Sequence, residues 1–443
     1  MKNPSVVGRL DPRIDPRHDP FVGQRPKETK VRRASGDRVQ VGDVEFIEPE
    51  DLFKGPRETE RIFPATENSG DREVRFTTSR ASVEGLAATK VDHGDDARKP
   101  SVLLRGECMR VLIHEWVTGG GLAGKKLSTS LAAEGGAMRK ALIREFALVE
   151  GVQVVSTLDE RLDEDSGIAE TFRVRAGDEE STFSRLARDC DFTLVIAPET
   201  DDVLASRAEM IEHVGGRSLG STPEAIRLTA DKLRFAKHLD AAGVRTPPTK
   251  KFRTAQGLPR DVRYPAVVKP IDGAGSIHTF IIEDPDQFCR ANTLPAEMLI
   301  QPYIDGQPLS TSFFMGQNSQ QSCLGGGWQT MVLDGPSLQY RGGLLLAPWF
   351  WSLGEPIDAV RSVRGLRGWV GVDFLRETDD TSWTILEINP RPTTSLVGIL
   401  PFYPPGAMAR AWLANACGAE FHRPEIVRRT GLRFLADGTI LSE

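Results

Sequence analysis

From Met109 onward the chain alternates between continuous apolar runs and amphipathic stretches. Arg110–Trp116 is apolar along most of its length, the pattern of a strand buried on both faces. Met138, Leu142, Phe146 and Val149 recur at helical spacing and predict an amphipathic helix beginning near Ala137. Residues 152–158 and 192–198 predict further strands, joined by a helical or polar connection. Strands alternating with helices imply a parallel sheet covered on both sides. Thr222-Pro223 has the form of an N-cap followed by proline at the first helical position. A helix over roughly 230–242 should end at Gly243, ahead of the stiff segment "TPPT". Beyond it the pattern changes to paired strands with glycine turns, from "PAVVKP" to "TILEINPRP". The expected fold class is α/β and α+β, with a parallel-sheet domain followed by a two-lobed domain.

Residues 1–108 differ from the rest. An Asp-Pro-Arg unit repeats in "LDPRIDPRHDP", tryptophan is absent, and charges of both signs interrupt short apolar bursts such as Val44–Ile47. Too little apolar surface is available to offset chain entropy, so a disordered leader is expected. The alternative is that Met109 is the natural start, because "MRVLIHEW" begins a strand with no lead-in.

The length of 443 residues suggests two or three domains. A net charge of −6 gives no support for nucleic acid or an anionic membrane as partner. No apolar run approaches the roughly 20 residues of a membrane helix, and the N-terminus lacks a signal peptide's apolar centre. The five cysteines are scattered without a C-x-x-C pair, which fits reduced thiols in cytoplasm rather than a disulfide framework or zinc site.

The most informative stretch is "WVGVDFLRETDDTSWTILEINPRP", residues 369–392. A hairpin centred on Asp380 pairs residues whose numbers sum to 760, which sets Asp373 opposite Glu387. Their side chains should lie about 5 Å apart on one face. Alternation adds Asn389 and Arg391 to that face and sends Leu386, Ile388 and Pro390 to the other. Two opposed carboxylates on a buried face repel, and a divalent cation relieves the repulsion. Oxygen ligands suit Mg2+ (or Mn2+) carrying a phosphate. A solvated hairpin face with incidental acids is the plainer alternative.

Upstream, Lys269 ends the strand "AVVK", and the loop Gly273, Gly275, Ser276 follows it. A lysine beside a glycine-rich loop can offer a charge and several amides to a phosphate chain. Lys232, opening an earlier helix, could add a second cation or be a surface lysine. "MLIQPYIDG" reads as a strand running into a turn, whose backbone and Gln301 could pair with a purine edge.

The order Lys232, "VVKP" with its glycine loop, "LIQPYIDG", Asp373 and "EINPRP" resembles the ATP-grasp superfamily over roughly residues 216–430. Beyond the leader over 1–108, the resemblance implies a pre-ATP-grasp domain over 109–220 and an ATP-grasp domain over 221–435. Within the last, one lobe would cover about 230–303 and the other about 304–430. It implies ATP as cofactor, with Lys232 and Lys269 on the phosphates and Gly273 to Ser276 as a flexible phosphate lid. Gln301, with the backbone of Pro302 and Ile304, would hold adenine. Asp373, Glu387 and Asn389 would ligate magnesium, and Arg391 would face the transferred phosphate or an acyl intermediate. Pro308 stands where a ribose-binding glutamate is common, leaving that contact to Asp305 or Gln307. "MRVLIHEWVTGGGL", "LAAEGGAM" and "YRGGLLLAP" further resemble the tyramine–glutamate ligase branch. The implied partners are a small-molecule carboxylate and an amine, in a cytoplasmic enzyme for which a homodimer is one open assembly. Arg341 is a candidate for the substrate carboxylate, or a surface arginine.

"GGGLAG" (119–124) matches the dinucleotide fingerprint G-x-G-x-x-G, which would suit an oxidoreductase. A true fingerprint needs a helix to begin at the glycines, and here "KKLSTSLAAEGG" intervenes. Gly119, Gly120 and Gly121 are therefore expected to form either a flexible acceptor-substrate loop or a wide structural one. A phosphotransferase of the same fold is the other competing activity.

Overall fold

The computed structural model describes residues 108–163, 167–273, 278–288, 294–317, 320–334, 337–348, 354–377 and 382–441. Residues 1–107 of the expected leader and the loop residues Gly275 and Ser276 lie outside them.

The first layer is a parallel sheet of β1 (Met109–Glu115), β2 (Val152–Asp159), β3 (Glu170–Val174) and β4 (Phe192–Ile196), in the order β3-β2-β1-β4. Val111, Leu112 and Ile113 are completely buried, as a central strand with both faces covered requires. Those faces carry α1 (Thr129–Ala147), α2 (Glu179–Asp189) and α3 (Val203–His213). Two sequence expectations are corrected here. The connection between the second and third expected strands contains β3, a half-exposed edge strand ("ETFRV") with no apolar run to betray it. α1 starts at Thr129, about two turns before Ala137, because its first turns are mostly exposed and show no apolar stripe.

α4 (Pro223–Ala230) and α5 (Lys232–Ala241) lead into the second layer. The Thr222 hydroxyl caps α4 by accepting from Ala225 N at 3.3 Å. Asp231 separates the two helices and caps α5, accepting from Leu233 N and Arg234 N at 3.0 Å each. The single helix expected over 230–242 is thus α5 alone, closed at Gly243 with φ 71°.

The large sheet comprises β5 (Lys250–Arg253), β6 (Ala266–Pro270), β7 (Phe280–Ile282), β8 (Glu297–Pro302), β9 (Gly306–Met315), β10 (Gln321–Asp334) and β11 (Ser337–Leu346). It continues through β12 (Gly368–Glu377), β13 (Trp383–Asn389) and β14 (Leu432–Leu435). The path runs β13-β12-β9-β10-β11-β7-β6-β8-β5, with β14 added to β11 and all pairings antiparallel. α6 (Gly354–Ser362), α7 (Ser395–Ile399) and α8 (Ala407–Ala416) pack on it. One core unites the layers: Phe146 of α1 meets Trp412 of α8 at 6.0 Å between ring centroids, and Trp412 meets Phe314 of β9 edge-on at 5.6 Å. The buried Glu145 carboxylate of α1 accepts from Gly406 N, Met408 N and Ala409 N, so an anion of one layer sits at the α8 N-terminus of the other.

A buried ionic knot braces the first sheet. His114 Nδ1 lies 2.7 Å from Thr157 Oγ1, its Nε2 lies 3.1 Å from Glu179, and Glu179 also takes the Arg207 guanidinium. Burial works against the Glu179 charge, but His114 and Arg207 outweigh it and hold the carboxyl down at about 2. A depressed carboxyl stabilises the fold above its ordinary value of 4.5, and that contribution is lost as pH falls towards about 2. Glu179→Gln is therefore expected to cost about 3 kcal/mol near neutrality. In urea melts across pH, the gap between variant and wild type should close on acidification; a gap independent of pH would refute this.

Candidate active site

β12 and β13 position the carboxylates. Gly371 pairs with Asn389, Val372 with Ile388 and Asp373 with Glu387, the register expected from a sum of 760. Nearer the turn the register shifts by one, Phe374 opposing Ile385, so a bulge at Leu386 restores the pairing at the site. The bulge also lets Ile385 and Ile388, three apart, share the core face while Glu387 and Asn389 face away from it.

Asp373 is half-buried in a polar nest. Its Oδ2 accepts from Asn389 Nδ2 at 3.0 Å and its Oδ1 from Gln329 Nε2 at 3.0 Å, and Ser310, its partner on β9, also donates to it. Burial and the neighbouring Glu387 push its carboxyl up. Glu387 goes the other way: burial opposes its charge, but Lys232 and Lys269 prevail and keep it ionised. Lys232 Nζ stands 3.1 Å from Glu387 Oε2 and donates to Gly273 O at 2.9 Å. The α5 cap is what aims Lys232 here, with its backbone N donating to Ile271 O at 3.0 Å. Lys269, on β6, is 9 % exposed; burial and then Lys232 pull its ammonium down to about 8. The carboxylate pair, both lysines and the first glycine of the loop thus converge.

Arg391 lies beside this group. Its guanidinium meets Glu199, just beyond β4, and its Nη1 donates to Pro392 O at 3.2 Å. Glu134 of α1 accepts from Thr394 Oγ1. Tyr340, half-buried on β11, has its hydroxyl pushed well up by desolvation, with Asp373 and Glu134 adding to the effect. Gln329, Ser310, Tyr340, Glu134 and Glu199 are site neighbours that the sequence reading missed. The clearest available signal was the position of Glu199, at the C-terminal end of a parallel strand next to β1, where the chain connections diverge.

Other expected residues fall elsewhere. Gln301 is buried on β8 and its Nε2 donates to Thr249 Oγ1 at 2.7 Å; Pro302 follows at the strand end and Ile304 lies half-buried beyond it. Arg341 is on β11, next to Tyr340. It lies exposed where the β10–β11 register shifts, donating to Gln339.

The glycines of "GGGLAG" are not an open loop. Gly119 and Gly120 are buried, and Gly120 has φ 105°. A Cβ on Gly121 would stand 2.0 Å from the Trp116 ring, and one on Gly119 2.6 Å from Thr157 Oγ1. Glu115 closes the turn, accepting from Val117 N at 3.1 Å, Thr118 N at 2.8 Å and Thr118 Oγ1 at 2.6 Å. Close packing accounts for these glycines, which lie in one irregular helical turn, Val117–Gly121, while the long helix α1 begins only at Thr129.

Residues 152–226 match the pre ATP-grasp 3 domain and residues 229–395 the ATP-grasp domain. The chain thus carries an ATP-grasp domain preceded by a pre ATP-grasp domain. Relatives of this chain include a tyramine–L-glutamate ligase from Methanocaldococcus jannaschii, 31 % identical over 218 residues, covering 47 % of this chain and 58 % of that one. Another from Methanocaldococcus fervens is 30 % identical over 213 residues, covering 47 % and 61 %. The aligned region thus spans about three-fifths of these curated relatives. Among solved structures, L-amino acid ligase from Bacillus licheniformis superposes with a TM-score of 0.55 at 17 % identity, covering 74 % of this chain and 80 % of that one. ATP-grasp proteins use ATP with a divalent cation. Two carboxylates and an amide oxygen on one face, without thiol or imidazole, are the donor set of a hard cation. Among the described residues no helix is long and apolar enough to cross a membrane.

Proposed function

We propose that this protein is an ADP-forming carbon–nitrogen ligase that activates a carboxylate as an acyl phosphate and passes it to an amine. The observation that carries this reading is the face bearing Asp373, Glu387 and Asn389, with Lys232 and Lys269 turned towards it. Asp373, Glu387 and Asn389 would hold one or two magnesium ions, which neutralise the phosphates when bound. Lys232 and Lys269 would take the β- and γ-phosphates, the loop from Gly273 would cover them, and Gln301 with the backbone of Pro302 and Ile304 would hold adenine. Positioning and charge neutralisation supply most of the acceleration in phosphoryl transfer. A substrate carboxylate oxygen attacks the γ-phosphorus and ADP leaves. The amine then attacks the acyl carbon, phosphate departs with that oxygen, and the amine proton is released.

The relatives support glutamate and tyramine as the first pair to try. Glu134 and Glu199, from the layer of residues 109–220, stand beside Arg391, which supports a share for that layer in binding the substrates. The test is an ADP-release screen over carboxylate–amine pairs, with the product identified by mass. ADP requiring both substrates supports a ligase; a phosphorylated product without amine consumption supports a phosphotransferase.

A further inference from the structure

Arg391 is oriented from outside its own domain. Its Nη2 donates to Glu199 Oε2 at 3.0 Å, and its Nε stands 2.9 Å from Glu199 Oε1. Both side chains are buried, Glu199 at 7 % and Arg391 at 11 % exposure. A guanidinium has five N–H donors in a rigid plane. Glu199 takes one hydrogen of Nη2 and faces Nε as an ion-pair contact rather than an aligned hydrogen bond, and Pro392 O takes one hydrogen of Nη1, so the plane is set while Nη1 and Nη2 each retain one hydrogen.

The turn carrying Glu199 is itself held. Asp201 and Asp202 both adopt left-handed backbone, φ 54° and 58°, an uncommon conformation for side-chain-bearing residues. Asp202 Oδ1 accepts from Arg227 Nε at 2.9 Å, and Leu204 N donates to Pro198 O at 3.1 Å. Asp201 N points at Asp272, one residue before Gly273, at 3.4 Å. One short turn of the first layer therefore touches both Arg391 and the start of the glycine loop. A buried ion pair is weak evidence for stability, because desolvation offsets much of its attraction. A pair that also fixes a guanidinium plane next to the carboxylates has a better explanation in orientation.

We propose that Glu199 is a positioning residue that sets the plane of Arg391, so that the free Nη1 and Nη2 hydrogens meet an anionic group, the transferring phosphoryl or the carboxylate it is moving to. This rests on the ligase reading above. Full-length Glu199→Gln, Glu199→Asp and Arg391→Lys test it. With MgATP, glutamate and tyramine, Glu199→Gln lowers kcat about 30- to 100-fold while the KM for ATP moves less than about 3-fold; misplacement by an ångström can cost that much. Glu199→Asp, which keeps the charge on a shorter arm, recovers part of the loss. Independently of turnover, the Arg391 Nε–H resonance, identified by its absence in Arg391→Lys, is sharp in wild type and shifts and broadens in Glu199→Gln. MgATP raises the melting temperature of each variant as it does for wild type, which excludes misfolding. An unshifted Nε–H resonance, or Glu199→Gln turning over as fast as wild type or faster, overturns the proposal; the latter would make Glu199 a competitor for Arg391. A wild type that forms no ADP with any pair defeats the ligase reading, and the resonance alone then decides whether Glu199 orders Arg391.

Discussion

Glu387→Ala is expected to lower ADP formation by at least about 10³-fold, the loss typical when a preorganised charge at a reacting centre is removed. Glu387 is shared by every other group: it opposes Asp373 across the strands, and Lys232 and Lys269 stabilise its charge. Without it the cation site keeps one carboxylate and the lysines lose their common counter-charge. Stability should fall as well, but by far less than activity. Burial and Glu387 together push the Asp373 carboxyl up, so removing Glu387 relieves part of that strain. It also leaves Lys232 and Lys269 without the carboxylate they hold ionised, so the melting temperature of Glu387→Gln should drop near neutrality. Parallel ADP-release and melting measurements separate the cases. Full activity in either variant would remove the carboxylate pair from the chemistry.

Lys269→Met comes second in expected size, with kcat/KM for ATP falling about 10²- to 10³-fold. Lys269 is a buried cation held next to another, Lys232, and both effects pull its ammonium down. Such a group carries a desolvation cost in the free protein that an arriving polyphosphate would repay. Methionine of similar length should therefore leave the melting temperature unchanged or higher while MgATP affinity drops, read by titration calorimetry. Arg341→Ala serves as the contrast. Exposed and paired with Gln339, it should change kcat/KM by less than about 3-fold, as surface substitutions usually do. Equal losses in the two variants would mean that the phosphate side of the site is wrongly drawn.

The parts of this site legible in the sequence were those with local periodicity. Asp373, Glu387 and Asn389 lie on one hairpin, where arithmetic about a turn gives the register; the bulge at Leu386 was invisible because it leaves the sums on the site side intact. Lys232 followed from its place at a helix start, although Asp231 as its cap was missed. Glu199 and Glu134 were not legible, because each meets its partner across roughly 200 residues or more and neither belongs to a repeating pattern. The glycines of "GGGLAG" mislead for the same reason in reverse. Their spacing mimics a phosphate loop, but the contacts that demand them come from Thr157 on β2, Val174 on β3 and Trp116 beside them. Gly135, in the middle of α1, is a further case: a Cβ there would stand 2.4 Å from the Glu115 carboxylate.

The central claim is that ATP activates a carboxylate for attack by an amine, and isotope transfer tests it most directly. With glutamate labelled by 18O in its carboxylates, tyramine and MgATP, the account predicts ADP, an amide, and inorganic phosphate carrying one 18O per turnover. Unlabelled phosphate, or ADP formed at the same rate without the amine, would contradict it.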